Sequence, residues 1–353
     1  MRLDRNANVN YSTNPDNFFN LPFTGICSFM KTEICPDLAR LGPGYDVAVL
    51  GMPFDVAASA RSGARFGPRG VREASTINCD GLYGMYDPVR DTYYLDKGEK
   101  IIDCGDVDVS PCGYEQAFEN CTAAVKKILS TGALPVVIGG DHSVTIPVLR
   151  AFSGFEDICV VQFDAHLDWT DAYGEFRYSH SSPMRRASEM AHVSKMMQIG
   201  LRGLGSSGKK DFEQARAWGS TLVTARDVHE KGAAGVARLI PQAKNYYITV
   251  DIDGLDPSIC PGTGSPQAGG LMYQQVSDLM EAVVNKGNLV GFDLVEVAPP
   301  YDPCGQTSLY AAQLILDLIC YYTKKRSAEK GIWTNGGICV INKKDGKRLR
   351  RSQ

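Results

Sequence analysis

The sequence predicts an α/β protein in which helices sandwich a mostly parallel sheet of about eight strands. Three observations carry this. Short apolar runs rich in β-branched residues alternate along the chain with stretches of helical period. Runs such as Val47-Ala-Val-Leu50 and Val136-Val-Ile138 are apolar throughout, as strands buried on both faces of a parallel sheet are. Acidic residues and histidines collect just downstream of several runs, where open parallel sheets form their sites.

Taken in order, residues 1–44 are rich in Asn, Pro, Phe and Gly and have no clean period, so they read as an N-terminal arm of loops and short helix. Asp46–Gly51 is the first strand. Gly63 and Gly67 punctuate a loop, and Pro68 opens a helix towards Ser75. Lys100–Gly105 is a strand, followed by a helix over about 113–130 with apolar residues along one face. Ala133–Gly140 is a strand ending in two glycines; Asp141-His142-Ser143 and a helix through Phe152 follow. Val160–Phe163 delivers Asp164, His166 and Asp168. Further strands are expected at 197–201, 221–223, 246–250 and 289–296, with helices near 208–217, 227–238, 273–285 and 308–324. The end, 326–353, reads as a flexible C-terminal extension with a basic tail at Lys343–Arg351.

Composition narrows the class. The chain has 353 residues, 44% hydrophobic and 22% charged, as in soluble globular proteins. A net charge of −3 implies no nucleic-acid partner. The longest uncharged stretch, Ile128–Gly140, is too short and too interrupted by Gly and Pro to span a bilayer, so no membrane association is expected. Eleven cysteines with no CxxC pair, and an N-terminus without an apolar leader, point to reduced thiols in the cytoplasm. Asn10 and Asn120 match the glycosylation pattern by chance on that view.

The chemistry lies at three strand ends: Asp141/His142, Asp164/His166/Asp168 and Asp251/Asp253; a fourth strand ends in Glu296. Residues i, i+2 and i+4 of an extended chain share a face, so Asp164, His166 and Asp168 point one way. So many carboxylates beside two imidazoles are costly in a cleft without cations. Oxygen ligands with a few nitrogens and no nearby thiolate suit Mn²⁺ or a neighbouring first-row ion, and the supply is enough for two ions sharing carboxylates. Three of the five histidines (142, 166 and 180) fall at or near these clusters; His192 and His229 read as structural or exposed. Asp141 reads as a cap or an orienter of His142, Asp293 as structural, and Asp256 before Pro257 as a turn residue. The Gly-Thr-Gly of 262–264 lacks the strand–glycine–helix context of a phosphate loop.

Gly139-Gly-Asp-His-Ser143, Asp164-Ala-His-Leu-Asp168 and Asp251-Ile-Asp-Gly-Leu-Asp-Pro257 resemble the three metal motifs of the ureohydrolase family, the arginases, agmatinases and their relatives. Gly63–Arg69, Pro261–Pro266 with Gly269-Gly270, and Gly291–Asp302 resemble its agmatinase branch. The resemblance covers about residues 45–325 and implies a catalytic domain there, folded as a three-layer sandwich on an eight-stranded parallel sheet. It implies that His142, Asp164, Asp168 and Asp251 hold one metal, and that His166, Asp164, Asp251 and Asp253 hold the other. Two divalent ions are expected, Mn²⁺ by family habit, with Ni²⁺ or Co²⁺ accepted by the same ligands. The reaction implied is attack of metal-bound hydroxide on a guanidino carbon, releasing urea and an amine. Glu296 would take two parallel N–H bonds from the guanidinium, and His180 would shuttle the proton. Asp164, Glu296 and His180 are thus the catalytic candidates, with Trp169, Tyr173, Glu296 and His180 lining the substrate.

The chain departs from the branch in the 169–183 loop, where it reads His180-Ser181-Ser182, and after Phe54-Asp55, where it reads Val56-Ala57-Ala58. These departures leave the substrate open. Arg177, Arg185 or Arg186 would pair a carboxylate tail, as in 4-guanidinobutyrate; Asp171 or Glu175 would pair the amine of agmatine. The loop's aromatics would instead favour a small or alkylated guanidine or a biguanide of the metformin type. The arginase loop that reads an amino-acid head group is not recognisable. The family also implies a trimer or hexamer, and a paralogous partner subunit is the alternative in which the chain is not active alone. A one-metal deacetylase would not need Glu296, and a phosphoesterase would want basic groups facing the metals.

Overall fold

The computed structural model describes residues 21–110 and 113–329; the C-terminal tail and the first twenty residues lie outside them. Its strands are β1 (Glu33–Ile34), β2 (Val47–Met52), a hairpin of β3 (Met85–Asp87) and β4 (Thr92–Tyr94), β5 (Ile101–Asp106), β6 (Leu134–Gly139), β7 (Ile158–Phe163), β8 (Val193–Leu201), β9 (Thr221–Thr224), β10 (Asn245–Asp251) and β11 (Asn288–Val295). Nine of them form one sheet in the order β1-β5-β2-β6-β11-β10-β7-β8-β9, and every pairing in it is parallel.

The eight expected strands are all present, and β1 is the ninth. It falls inside the stretch read as arm, where two residues are too few to show a period. Its register (Glu33↔Ile102, Ile34↔Asp103) comes from pairing with β5, not from its own pattern. The β3–β4 hairpin also escaped the sequence reading, since three-residue strands carry little alternation.

The helices are α1 (Gly67–Ser75), α2 (Tyr114–Thr131), α3 (Thr145–Arg150), α4 (Pro183–Ala187), α5 (Lys209–Trp218), α6 (Ala225–Ala237), α7 (Tyr273–Lys286) and α8 (Gln306–Glu329). Gly132, at φ 83° in the left-handed region, ends α2. A Thr224/Asp227 capping box opens α6. α8 runs four residues into the segment expected to be flexible, because Ser327 still packs against the body.

The sheet divides the core in two, which makes three layers. Val47 and Val49 of β2 face one apolar cluster with Val71 of α1, Val236 of α6, Leu279 of α7 and Leu314 of α8. Ala48 and Leu50 face the other, with Phe118 of α2, Val148 of α3, Met184 of α4 and Ala215 of α5. The period of two along a strand thus feeds both layers. Each fully buried aliphatic side chain contributes about 1.5–3 kcal/mol over its exposed state.

The order β6-β11-β10-β7 decides the site. After β6 the chain crosses two strand positions before adding β7, and β10 and β11 later fill the gap. Four adjacent strands therefore open onto one crevice at their carboxyl ends.

Candidate binuclear metal site

Each of those four strands delivers its cluster. At the end of β6, Asp141 caps the turn over His142–Val144, its Oδ1 accepting the Ser143 amide at 3.0 Å and its Oδ2 the Ala57 amide at 3.0 Å. That turn aims the His142 ring at the carboxylates of the neighbouring strands. His142 Nδ1 lies 3.0 Å from Asp164 Oδ2, 2.8 Å from Asp168 Oδ2 and 3.3 Å from Asp251 Oδ2. On the other side, His166 Nδ1 lies 3.4 Å from Asp164 Oδ1 and 3.1 Å from Asp253 Oδ2. Two ligand groups result, His142/Asp164/Asp251 and Asp164/His166/Asp253, and Asp164 belongs to both through different oxygens.

The donor set fits divalent ions. His142 Nδ1 and Asp168 Oδ2 are buried 2.8 Å apart, yet neither has a hydrogen-bond partner. A nitrogen and a carboxylate oxygen so close and buried are a place that a cation can share. The electrostatics agree. Burial works against charge on His166, but Asp253 and Asp164 outweigh it and push its pKa up to about 12. His142 is also raised, against its burial, by Asp168 and the other carboxylates. Burial and then Asp164 lift Asp168 to about 6; burial and the neighbouring aspartates lift Asp251 well above the usual range. Asp164 is instead held far below it, because His142 and His166 overcome its burial. The cluster thus draws positive charge into itself, as protons or as metal.

Glu296 follows β11. Its amide donates to Gly140 O at 2.8 Å, and its Oε1 accepts the His142 amide at 3.0 Å. Glu296 Oε2 faces the 262–264 turn, where a Cβ on Gly264 would stand 3.5 Å from it and 2.9 Å from Arg61 O. The missing side chain keeps room beside that oxygen. Arg61 holds the turn in place, donating to Thr263 O at 2.6 Å and Gly264 O at 3.0 Å. Asp168 and Glu296 both have left-handed backbones, at φ 51° and 64°. Non-glycine residues pay about 1–3 kcal/mol for such strain, which collects at functional sites.

His180 stands near by. Its Nδ1 is 3.5 Å from Glu296 Oε1; its Nε2 accepts the Ser59 amide at 3.2 Å and lies 2.7 Å from Ser59 Oγ. Burial opposes its protonation, but Glu296 and Asp141 raise its pKa.

The loop after β7 differs from expectation. Trp169, taken to line the substrate, is 1% exposed and packs on Trp218 at 6.1 Å between ring centroids. An indole next to an apolar strand end is driven into the nearest core, and this one joins the apolar cluster of α2–α5. Tyr173 is 53% exposed, with its hydroxyl 3.4 Å from Ser181 Oγ. Tyr178 stacks with Tyr114 and Phe176. Asp171 is engaged by Arg177 and Arg186, and Glu189 by the same two arginines, with Arg185 close to both acids. Asp171 and the three arginines, expected to read a substrate tail, are thus drawn into one ion-pair group with Glu189, although Arg185 Nε and Arg186 Nε and Nη1 are buried without a hydrogen-bond partner. His192 and His229 each bond a backbone carbonyl, Leu149 O and Gly270 O.

The arginase family model matches residues 45–320. The chain belongs to the arginase family. Among relatives within it, the mitochondrial guanidino acid hydrolase of Homo sapiens is 35% identical over 308 residues, covering 85% of this chain and 84% of that protein. The guanidinopropionase of Pseudomonas aeruginosa is 34% identical, covering 84% and 92%. The solved structure of proclavaminate amidino hydrolase from Streptomyces clavuligerus superposes with a TM-score of 0.74 at 33% identity, covering 86% of this chain and 99% of that one. Such arginase-family proteins are metal-dependent hydrolases acting on guanidino compounds, and so is this chain.

Several residues that shape this arginase-family site escaped the sequence reading. Gln162 donates to Asp164 Oδ2 at 2.6 Å, and Gln198 donates to Gln162 Oε1 at 2.6 Å. Arg202 donates to five backbone carbonyls, among them those of Asp253, Gly254 and Leu255, and so fixes the turn bearing Asp253. A polar residue inside a buried strand, such as Gln162 or Gln198, was the available signal. Gly254 packs so closely that a Cβ would stand 2.9 Å from the Asp164 amide. Gly254→Ala is therefore expected to destabilise the fold by about 1–3 kcal/mol and to weaken metal binding; thermal melts with and without Mn²⁺ check both.

Proposed function

We propose that this chain is a binuclear-metal amidinohydrolase that cleaves a guanidino C–N bond to release urea and an amine. The observation that carries it is the pair of ligand groups sharing Asp164, with Glu296 at the adjoining strand end. One ion would be held by His142, Asp164, Asp168 and Asp251, the other by His166, Asp164, Asp251 and Asp253. When bound, such ions supply hydroxide near neutral pH by lowering the pKa of water. Mn²⁺ is the proposed metal, with Ni²⁺ or Co²⁺ as substitutes.

The protein's own groups do the rest. Glu296 binds and orients the guanidinium through its open Oε2 edge. His180 moves the proton to the leaving amine. In the neutral ring Nε2 accepts the Ser59 amide; in the charged ring that bond is lost and the same nitrogen can donate to Ser59 Oγ, 2.7 Å away. His180→Asn is expected to lower turnover about 10²-fold while two metals per chain remain; an unchanged rate would remove His180 from the reaction.

The proposed substrate is a guanidine without an amino-acid head group, such as agmatine or 4-guanidinobutyrate, as the names of relatives suggest. One observation favours a second reading. Asp171, Glu189 and their arginines pair with one another, which leaves fewer free charges for a substrate tail and suits a small or alkylated guanidine or a biguanide. A cytoplasmic setting fits the nine described cysteines, all free thiols; no described helix is long and apolar enough to cross a membrane. We further propose a trimer or hexamer, with a paralogous subunit required only if the isolated chain proves silent.

The test is urea release after separate loading with Mn²⁺, Ni²⁺ or Co²⁺. The panel is agmatine, 4-guanidinobutyrate, 3-guanidinopropionate, arginine, guanidine and a dimethylbiguanide. Turnover of one compound supports the reading and names the substrate. Failure to bind two metals sinks it.

A further inference from the structure

Behind His142, away from the ligand cluster, three fully buried polar side chains line up. Thr249 of β10 lies 3.0 Å from His142 Nε2 through its Oγ1. The same Oγ1 donates to Asp293 Oδ1 at 2.5 Å. Tyr247, two residues earlier on β10, donates to Asp293 Oδ2. Thr249, Asp293 and Tyr247 are each 0% exposed. Thr145 Oγ1 adds a weaker contact to Thr249 at 3.4 Å. Among the described residues no Lys or Arg is paired with Asp293, so two hydroxyls hold a carboxylate in the core.

With Asp293 ionised, the hydrogen count has one solution. A threonine hydroxyl carries one proton, and Thr249 commits it to Asp293, the stronger acceptor. Only a lone pair is left facing His142. Nε2 must then be the protonated nitrogen, and Nδ1 is the one that faces Asp164, Asp168 and Asp251.

We propose that the Asp293–Thr249 pair is the positioning device of the first metal site: the Thr249 hydroxyl, tied to Asp293, holds the His142 ring from behind at Nε2 and so keeps Nδ1 turned to the carboxylates that an entering cation would share. This rests on the metal-centre reading above. Asp293 is then more than a structural residue of β11. Its charge acts through Thr249 to make the imidazole a better donor, as carboxylates behind metal-bound histidines do. The device serves one ion, since no hydrogen bond or ion pair links Thr249 or Asp293 to His166 or Asp253 among the described residues.

The test is Mn²⁺ binding to the full chain by competition with a chelator, which reads affinity without activity. Asp168→Asn marks the ion on the His142 side and Asp253→Asn the other. Thr249→Val, of equal shape, is expected to weaken the ion that Asp168→Asn weakens, by about 10–100-fold, and to leave the second within about twofold. Thr249→Ser should bind as the parent protein does. Asp293→Asn keeps a partner for the hydroxyl but loses the charge, and should weaken the same ion by less; it carries the test should Thr249→Val fail to fold. Unchanged affinities in both variants would overturn the proposal. Equal weakening of both ions with a lower melting temperature would do the same, since that is a packing defect. Parent protein that binds no Mn²⁺ would instead overturn the metal-centre reading itself.

Discussion

Asp164→Asn is expected to release both metal ions at once and to lower turnover by about 10³-fold or more. Asp164 turns Oδ2 to His142 and Oδ1 to His166, so among the described residues it belongs to both ligand groups, and with Asp251 it is assigned to both ions. An amide presents one oxygen where a carboxylate presents two, so one of the two groups must lose a ligand. The lost charge weakens the other as well, since this is the carboxylate that both imidazoles hold in its charged form. Several kcal/mol of metal-assisted catalysis corresponds to about 10³-fold in rate. Stability supplies a second readout. An ion at about 1,000 times its Kd adds about 4 kcal/mol to the folded state, so the parent protein should melt higher with Mn²⁺. Asp164→Asn should show no such rise and should keep its circular dichroism. Full activity with two ions bound would end the shared-ligand reading.

Glu296→Gln is expected to leave both metals in place and to lower kcat/KM by about 10²–10³-fold, which is about 3–4 kcal/mol. Gln keeps the oxygen that accepts the His142 amide, so the strand end should stay in position. It replaces the open edge beside Gly264 with an NH₂ group, which faces a guanidinium donor to donor. The backbone here stays at φ 64° in either variant, so conformational strain does not separate them. The loss should appear with every guanidine in the panel, since the guanidinium is their common part. Metal loss in Glu296→Gln, measured by the same chelator competition, would make Glu296 a structural support of His142 instead.

Much of this molecule is legible without coordinates. Continuous apolar runs predict strands buried on both faces, because only a parallel sheet between helix layers removes both faces from water. Charged residues directly after such runs have few places to go except the crevice at the strand ends. That is why His142, Asp164, His166, Asp168, Asp251, Asp253 and Glu296 were found from spacing and meet in space.

What the sequence could not carry is pairing over distance. Strand order makes β6, β11, β10 and β7 neighbours, and no local period encodes it. Ser59 meets His180 across 121 residues, and Thr249 meets His142 across 107. The burial of Trp169 and the mutual pairing of Asp171 with Arg186 depend on where the 169–183 loop folds back, and a ring or charge in a loop has the same composition whether it faces a pocket or a core. β1 exists only because β5 offers it an edge. The metal-capable groups were thus determined by the chain itself, through hydrophobic runs that end in charge. Their supporting bonds, their shared carboxylate and the shape of the mouth were decided by tertiary contacts, because a hydrogen bond needs two partners and the sequence displays them one at a time.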